Sequence, residues 1–233
     1  LYHTVKPSPE SLSVLQEDGT GLLRDHLLRR IREQYAVRRR DVEQALASPA
    51  SLRNRQSELR KRLQTIVGEL PEKSPLDARV TGTLKGDGFC VEKVVFQSRP
   101  QHYVTANLYI PEGDGPFPGV LIACGHSGLG KAYSYYQKAA MLMARNGMMA
   151  LVYDCIGQGE RLSYLQESSN AGLQHKLDNV NSILVGRTAV GYQAWDGIRA
   201  ADYLLSRTEV DRSKPVGMTG NSGGGAQTMY LMA

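Results

Sequence analysis

The sequence predicts an α/β fold with a mainly parallel sheet, antiparallel opening strands, helices on both faces and an N-terminal helical extension. In the extension, residues 1–75, apolar residues recur at helical spacing. From residue 76 the apolar period changes to two, which is typical of strands. Farther on, continuous apolar strands alternate with helices, which indicates a parallel sheet covered on both faces. Residues 76–233 are therefore predicted to form the α/β domain.

Two helices are predicted in the extension. Leucine and isoleucine recur at helical spacing over residues 21–47, with arginines between them. The Ser48-Pro49 pair ends this helix, because proline disfavours helical geometry in the residue before it. A second helix is predicted to follow and to end near Val67, just before Gly68.

The α/β domain is predicted to open with three strands, over residues 78–84, 89–98 and 102–110. Short turns join them, so neighbouring strands can pair antiparallel on one side of the sheet. In chain order, the elements expected next are a strand over 119–125, a helix over 137–146, a strand over 148–156, a helix over 188–206 and a strand over 214–220.

Composition and charge limit the classes of partner. No apolar run reaches the roughly 18 residues that span a bilayer. The net charge is +5, and residues 21–62 carry 12 Lys or Arg against 5 Asp or Glu. Tyr35 is the only aromatic residue of that segment, whereas nucleic-acid surfaces combine positive charge with stacking aromatic rings. We therefore expect a solvated helical face, and neither nucleic acid nor membrane as a partner.

Three cysteines, Cys90, Cys124 and Cys155, lie in apolar strand-like runs. Their spacing contains no CxxC pattern, so it supports neither a zinc site nor a redox site. We expect buried free thiols. Neither a metal nor an organic cofactor is expected.

The chemically informative motif lies near residue 220. Gly220-x-Ser222-x-Gly224 follows a predicted strand and precedes a predicted helix, the context of a nucleophile elbow. The turn is so tight that bulky neighbours would collide, which explains the flanking glycines. Ser222 is the predicted nucleophile, and the Gly223 N–H is a predicted oxyanion donor at the helix start. The alternative is an ordinary glycine-rich turn between a strand and a helix.

A second oxyanion donor is expected from the loop that follows an earlier strand of such a fold. Here the strand ends at Cys124, and the backbone N–H of Ser127 or Gly128 is the predicted donor. His126 lies on the same loop. We expect it to fix the loop by a hydrogen bond rather than to act as the catalytic base.

Four blocks occur in order along residues 76–233: CGHSGLGK, LVYDCIGQGER, GRTAVGYQAWDGIRAADYLLSR and GMTGNSGGGAQTMYL. Together they resemble the acetyl xylan esterase branch of the α/β-hydrolases. The resemblance implies deacetylation of carbohydrate esters, or hydrolysis of related small esters. It also implies a periplasmic or extracellular protein, with the cytoplasm left open. The loop that begins at Asp154 and contains Gly157 and Gly159 is expected to shape the pocket floor.

The catalytic acid and histidine are expected beyond residue 233. In this fold the triad follows the chain order Ser, then Asp or Glu, then His. Eleven residues follow Ser222, and they include neither an acid nor a histidine. The sheet strands that follow the elbow in the fold are expected to be missing as well.

Three other functions remain open at this point. The run Gly125–Lys131 fits the phosphate-binding pattern GxxxxGK, but Ala132 replaces the hydroxyl residue that binds magnesium. A serine peptidase of the same fold would use the same elbow. A non-catalytic fragment would fit the missing triad members.

Charged and histidine side chains outside the motif are expected to be structural. Asp196, Arg199 and Asp202 are three residues apart on one helical face and are predicted to be a solvated charge set. His102 and His175 have no ligand-type neighbours in the sequence and are expected to be structural or surface residues.

Overall fold

Residues 14–15, 19–164 and 170–232 are described by the computed structural model. Both helices of the predicted extension are present: α1 covers Leu22–Ala45 and α2 covers Pro49–Val67. The Ser48 hydroxyl accepts a hydrogen bond from the Ser51 amide (3.1 Å) at the start of α2, as an N-cap residue does. The chain divides inside α2 into two units, Leu1–Leu59 and Arg60–Ala233.

The second unit contains one six-stranded sheet. Its strands are β1 Arg79–Lys85, β2 Phe89–Arg99, β3 His102–Pro111, β4 Gly119–Ala123, β5 Met149–Tyr153 and β6 Gly217–Gly220. Their order across the sheet is β1-β2-β3-β5-β4-β6. The first three strands and the β3–β5 pair are antiparallel, whereas β5, β4 and β6 are parallel. The predicted mixed sheet, with its antiparallel strands at one side, is confirmed.

Helices cover both sides of this sheet. Helices α3 Ser134–Arg145, α5 Ala189–Ser206 and α6 Gly223–Met232 pack on its strands, and α4 Ala171–Leu184 packs against α5. Helix α3 packs against β3 and β5, and α5 packs against β2, β4 and β5. All five residues of β5 are buried, as expected for an apolar strand inside a covered sheet.

The sequence patterns missed α4. Its residues include Gly172, Asn179, Asn181 and Ser182, which are poor helix formers and weaken the helical signal. Asn170 caps the helix, because its side chain accepts a hydrogen bond from the Leu173 amide (3.1 Å). This helix carries a histidine that matters for the candidate site.

The prediction that Asp196 and Arg199 face solvent is wrong. Asp196 is 1% exposed and Arg199 is 4% exposed. Asp196 accepts a hydrogen bond from the Ser98 hydroxyl (2.5 Å), and Arg161 Nη1 lies 2.8 Å from its other carboxylate oxygen. Burial alone would raise the pKa of Asp196, but Arg161, His102 and Ser98 together hold it below its ordinary value. The Asp196 carboxylate is therefore ionised although it is buried, and its bond to Ser98 connects α5 to β2.

Candidate active site

Ser222 lies in the turn between β6 and α6, at the carboxyl edge of the parallel strands. Its φ is +53°, a left-handed conformation that is uncommon for a residue with a side chain. The side chain is exposed. A strand, a strained serine and a helix that begins at the next residue are the local features expected of the predicted elbow.

The glycines around Ser222 permit close backbone packing. A methyl group on Gly224 would lie 2.0 Å from the Ala123 carbonyl oxygen, and one on Gly220 would lie 2.4 Å from the Gly224 carbonyl oxygen. Ala123 and Gly220 are register partners at the ends of β4 and β6. The start of α6 therefore rests directly on the end of β4, and only glycine fits at these positions.

A Gly224→Ala substitution is therefore expected to destabilise the protein by about 1–3 kcal/mol or more, because the added methyl group meets backbone atoms that cannot rotate away. The control is Gly225→Ala, whose methyl group would lie 3.4 Å from the Gly220 carbonyl oxygen, an ordinary contact. Helix propensity alone favours alanine at that position. Thermal melts compare the two variants, and equal melting temperatures would contradict the tight contact at Gly224.

The loop after β4 lies against the turn that contains Ser222. A methyl group on Gly125 would lie 2.3 Å from the Asn221 carbonyl oxygen and 3.1 Å from Ser222 Cβ. The Gly125 amide donates to the Tyr136 hydroxyl on α3 (2.6 Å), which fixes the start of the loop. The structure thus brings together the two segments that the sequence predicts to form the oxyanion site.

The backbone amides of these segments differ in what they already bind. The Ser127 amide donates to the Gln158 side-chain oxygen (2.7 Å), so it would have to leave this bond to contact an oxyanion. Gly223 is the first residue of α6, and the first N–H groups of a helix have no partner within it. The Gly128 carbonyl oxygen accepts a hydrogen bond from the Gly159 amide (3.2 Å), which holds this loop against the loop after β5. The bond to Gln158 counts against the Ser127 N–H as the second donor and so favours that of Gly128.

Asp154, directly after β5, connects the loop after β5 to the turn at residues 130–132, which follows the loop after β4. It is fully buried and accepts hydrogen bonds from the Lys131 amide (2.7 Å), the Lys131 ammonium group and the Thr105 hydroxyl (2.7 Å). Methyl groups on Gly130 and Gly159 would lie 2.0 and 2.2 Å from a carboxylate oxygen of Asp154. Asp154 therefore supports the loops beneath the site.

The same contacts argue against a phosphate-binding loop at Gly125–Lys131. Such a loop needs its lysine free to reach the phosphates. Lys131 is 7% exposed, and its ammonium group is paired with Asp154 and Glu160. Lys131 therefore stabilises the loop through these ion pairs and is not free to bind a phosphate.

His126 and His175 are hydrogen-bonded to each other. His126 Nε2 lies 2.8 Å from His175 Nδ1, and His175 Nε2 lies 2.6 Å from the Ile156 carbonyl oxygen. Sequence reasoning missed this pairing, because the histidines are 49 residues apart and His175 belongs to the helix that the patterns did not show. His126 does bind a neighbouring element, and its partner is a side chain of α4.

The cysteines are free, as predicted, but Cys90 is only partly buried. Burial raises the pKa of Cys155 to about 11 and also raises that of Cys124. Both buried thiols therefore stay protonated near neutral pH and are poor nucleophiles.

Among the described residues, no group of three or more His, Cys, Asp or Glu is placed to hold a metal ion. Within the same residues, no helix is long and apolar enough to cross a membrane.

Solved structures decide the fold. One matching structure is a Bacteroides fragilis protein assigned as an acetyl xylan esterase. It superposes with a TM-score of 0.67 at 20% identity, over 79% of this chain and 51% of its own. The chain has an α/β-hydrolase fold. A methylesterase superposes with a TM-score of 0.62 at 28% identity, over 80% of this chain and 39% of its own.

Acetyl xylan esterase 1 of a Thermoanaerobacterium species has the same α/β-hydrolase fold, with a TM-score of 0.52 at 18% identity over 73% of this chain and 52% of its own. No family model matches the sequence, and no curated protein is significantly similar to it. The chain spans about half or less of the length of these three structures. The resemblance to the acetyl xylan esterase branch is confirmed at the level of the fold.

Proposed function

We propose that this α/β-hydrolase cleaves carboxylic esters through an acyl-serine intermediate on Ser222. The observation that carries the proposal is the positive φ of Ser222 in a strand–turn–helix junction lined by glycines. This geometry presents the hydroxyl group to solvent while the start of α6 supports negative charge next to it. The esterases among the solved structures support the reaction class.

Each group has a defined role in the proposed reaction. The Ser222 hydroxyl oxygen attacks the ester carbonyl carbon, and its proton passes to a general base. The Gly223 N–H and the N–H of Gly128, or of Ser127 once Gln158 releases it, stabilise the oxyanion. The alcohol leaves with a proton, and water then cleaves the acyl-serine bond to regenerate the hydroxyl group and release the acid.

We propose that the base and its acid partner come from residues that follow Ala233, because the triad order of this fold places both after the serine. We also propose acetyl groups on carbohydrates, or related small esters, as substrates. The names of the neighbouring esterases and the four sequence blocks support this substrate class.

Labelling with a fluorophosphonate probe tests the nucleophile. The natural full-length protein should be modified once, on Ser222, and the Ser222→Ala variant should not react. Ser213→Ala is the matched control, because Ser213 is an exposed serine that bonds Asp211 outside the site. Peptide mass spectrometry locates the label. A folded protein that carries the label on another residue, or carries none, would contradict the proposal.

A further inference from the structure

The histidine pair, His126 and His175, has a defined proton arrangement when both rings are neutral. A carbonyl oxygen can only accept, so His175 Nε2 must donate its proton to the Ile156 carbonyl. A neutral His175 then has a bare Nδ1, which must accept from His126 Nε2. Neutral His126 therefore carries its proton on Nε2 and leaves Nδ1 as a bare acceptor.

The surroundings of His175 favour its neutral form. Burial is the main cause that lowers the pKa of His175, and the neighbouring His126 lowers it further. Asp178, on the same face of α4, and the Ile156 carbonyl act in the opposite direction without overcoming burial. These surroundings favour the neutral His175 on which the described proton arrangement depends.

The bare nitrogen lies at the elbow. A methyl group on Gly223 would be 3.0 Å from His126 Nδ1. His126 and Ser222 are both exposed, so a substrate can reach the two side chains together. In the part of the chain that the structure describes, Nδ1 has no hydrogen-bond partner at all. The chain thus places a hydrogen-bond acceptor of fixed orientation beside Gly223, the residue that follows the proposed nucleophile.

Two kinds of proton donor can reach an acceptor at this place, the Ser222 hydroxyl and a group on the substrate. The base for Ser222 is proposed to follow Ala233, which leaves Nδ1 to the substrate. Its lone pair repels a developing oxyanion, so it does not belong to the oxyanion site. It binds a group that carries a proton. We propose that His126 is a specificity-determining residue whose Nδ1 accepts a hydrogen bond from a hydroxyl group that the substrate carries beside its scissile ester. The inference rests on the proposed ester hydrolysis at Ser222.

Matched pairs of small esters test the inference on the natural full-length protein. One pair is 2-hydroxyethyl acetate and 2-methoxyethyl acetate, which differ in a donor on the alcohol side. The other is methyl glycolate and methyl methoxyacetate, which differ in a donor on the acyl side. The wild type should prefer the hydroxylated member of at least one pair by about 2- to 10-fold in kcat/KM, the value of one net hydrogen bond.

Two substitutions test the roles of the two His126 nitrogens separately. Glutamine places an N–H near the position of Nε2, so His126→Gln keeps the donor to His175 and removes the acceptor. Asparagine places an oxygen near the position of Nδ1, so His126→Asn keeps an acceptor and loses the bond to His175. The hydroxyl preference, expressed as the ratio of kcat/KM within each pair, should disappear in His126→Gln and persist in His126→Asn.

A preference that is absent from the wild type, or that survives in His126→Gln, would overturn the inference while leaving ester hydrolysis intact. Failure to hydrolyse any of the four esters, or hydrolysis that survives Ser222→Ala, would instead count against the proposed function. If the variants do not fold, ¹⁵N spectra of the wild-type imidazoles decide. The neutral His126 ring should show a protonated Nε2 and a bare Nδ1, and the opposite tautomer would overturn the inference.

Discussion

Replacing Ser222 by alanine is expected to lower the turnover of an aryl acetate by the natural full-length protein by about 10⁴- to 10⁶-fold. The variant loses the only atom proposed to form the acyl intermediate but keeps the oxyanion donors, so a small residual rate should survive. The exposed Ser222 side chain is not part of the core, and alanine accepts the same backbone strain. The melting temperature should therefore stay close to that of the wild type.

The measurement is kcat for wild type and variant under saturating ester, with circular dichroism to show that the fold is retained. Ser213→Ala serves again as the control and should keep the wild-type rate. A Ser222→Ala variant that retains activity within about tenfold of the wild type would mean that another group attacks the ester. The two buried cysteines could not take that role without losing their protons.

Local patterns sufficed to predict the strand, turn and helix around Ser222. The turn at Ser222 is determined by residues next to it in the chain: a short strand, three glycines and a helix start. The opening strands were predictable for the same reason, since their period of two is visible in consecutive residues and short turns set their pairing. In each case the determining interactions lie close together in sequence.

The contacts that complete the site are long-range, and the sequence does not show them. His175 reaches His126 from a helix whose composition hides it, and the Ser127 amide is bound by Gln158 from the loop after β5. Neither pairing has a sequence pattern. Asp154 at the end of an apolar strand, with Gly157 and Gly159 after it, is the local signal that this loop turns back toward the site.

The charged face of α5 is a third case. Charges at three-residue spacing are usually solvated, and that rule predicts an exposed Asp196. The rule fails because Ser98 and Arg161, which lie in other segments, contact Asp196: Ser98 donates a hydrogen bond to one carboxylate oxygen, and Arg161 forms an ion pair with the other. A helix in which the apolar Trp195 precedes Asp196 does not show from its sequence whether Asp196 is buried, since burial of a charge depends on the groups that surround it.

Replacing Asp154 by alanine is expected to produce the largest loss of stability among the site residues. Asp154 is fully buried, and its removal leaves the Lys131 ammonium group inside the protein with Glu160 alone, whose side chain is 70% exposed. Breaking a buried ion pair by removing one partner costs about 3–5 kcal/mol. At roughly 2–4 °C per kcal/mol for a protein of this size, the melting temperature should fall by about 6–20 °C.

Two further variants identify the cause of that loss. Asp87→Ala breaks an exposed pair with Arg145, a type of contact worth about 0–1 kcal/mol, and should leave the melting temperature nearly unchanged. The double variant Asp154→Ala with Lys131→Met removes the stranded charge and should recover part of the lost stability, because the main penalty is the unpaired ammonium group. If the double variant is no more stable than Asp154→Ala, the loss comes instead from the Thr105 hydroxyl and the backbone amides that Asp154 binds.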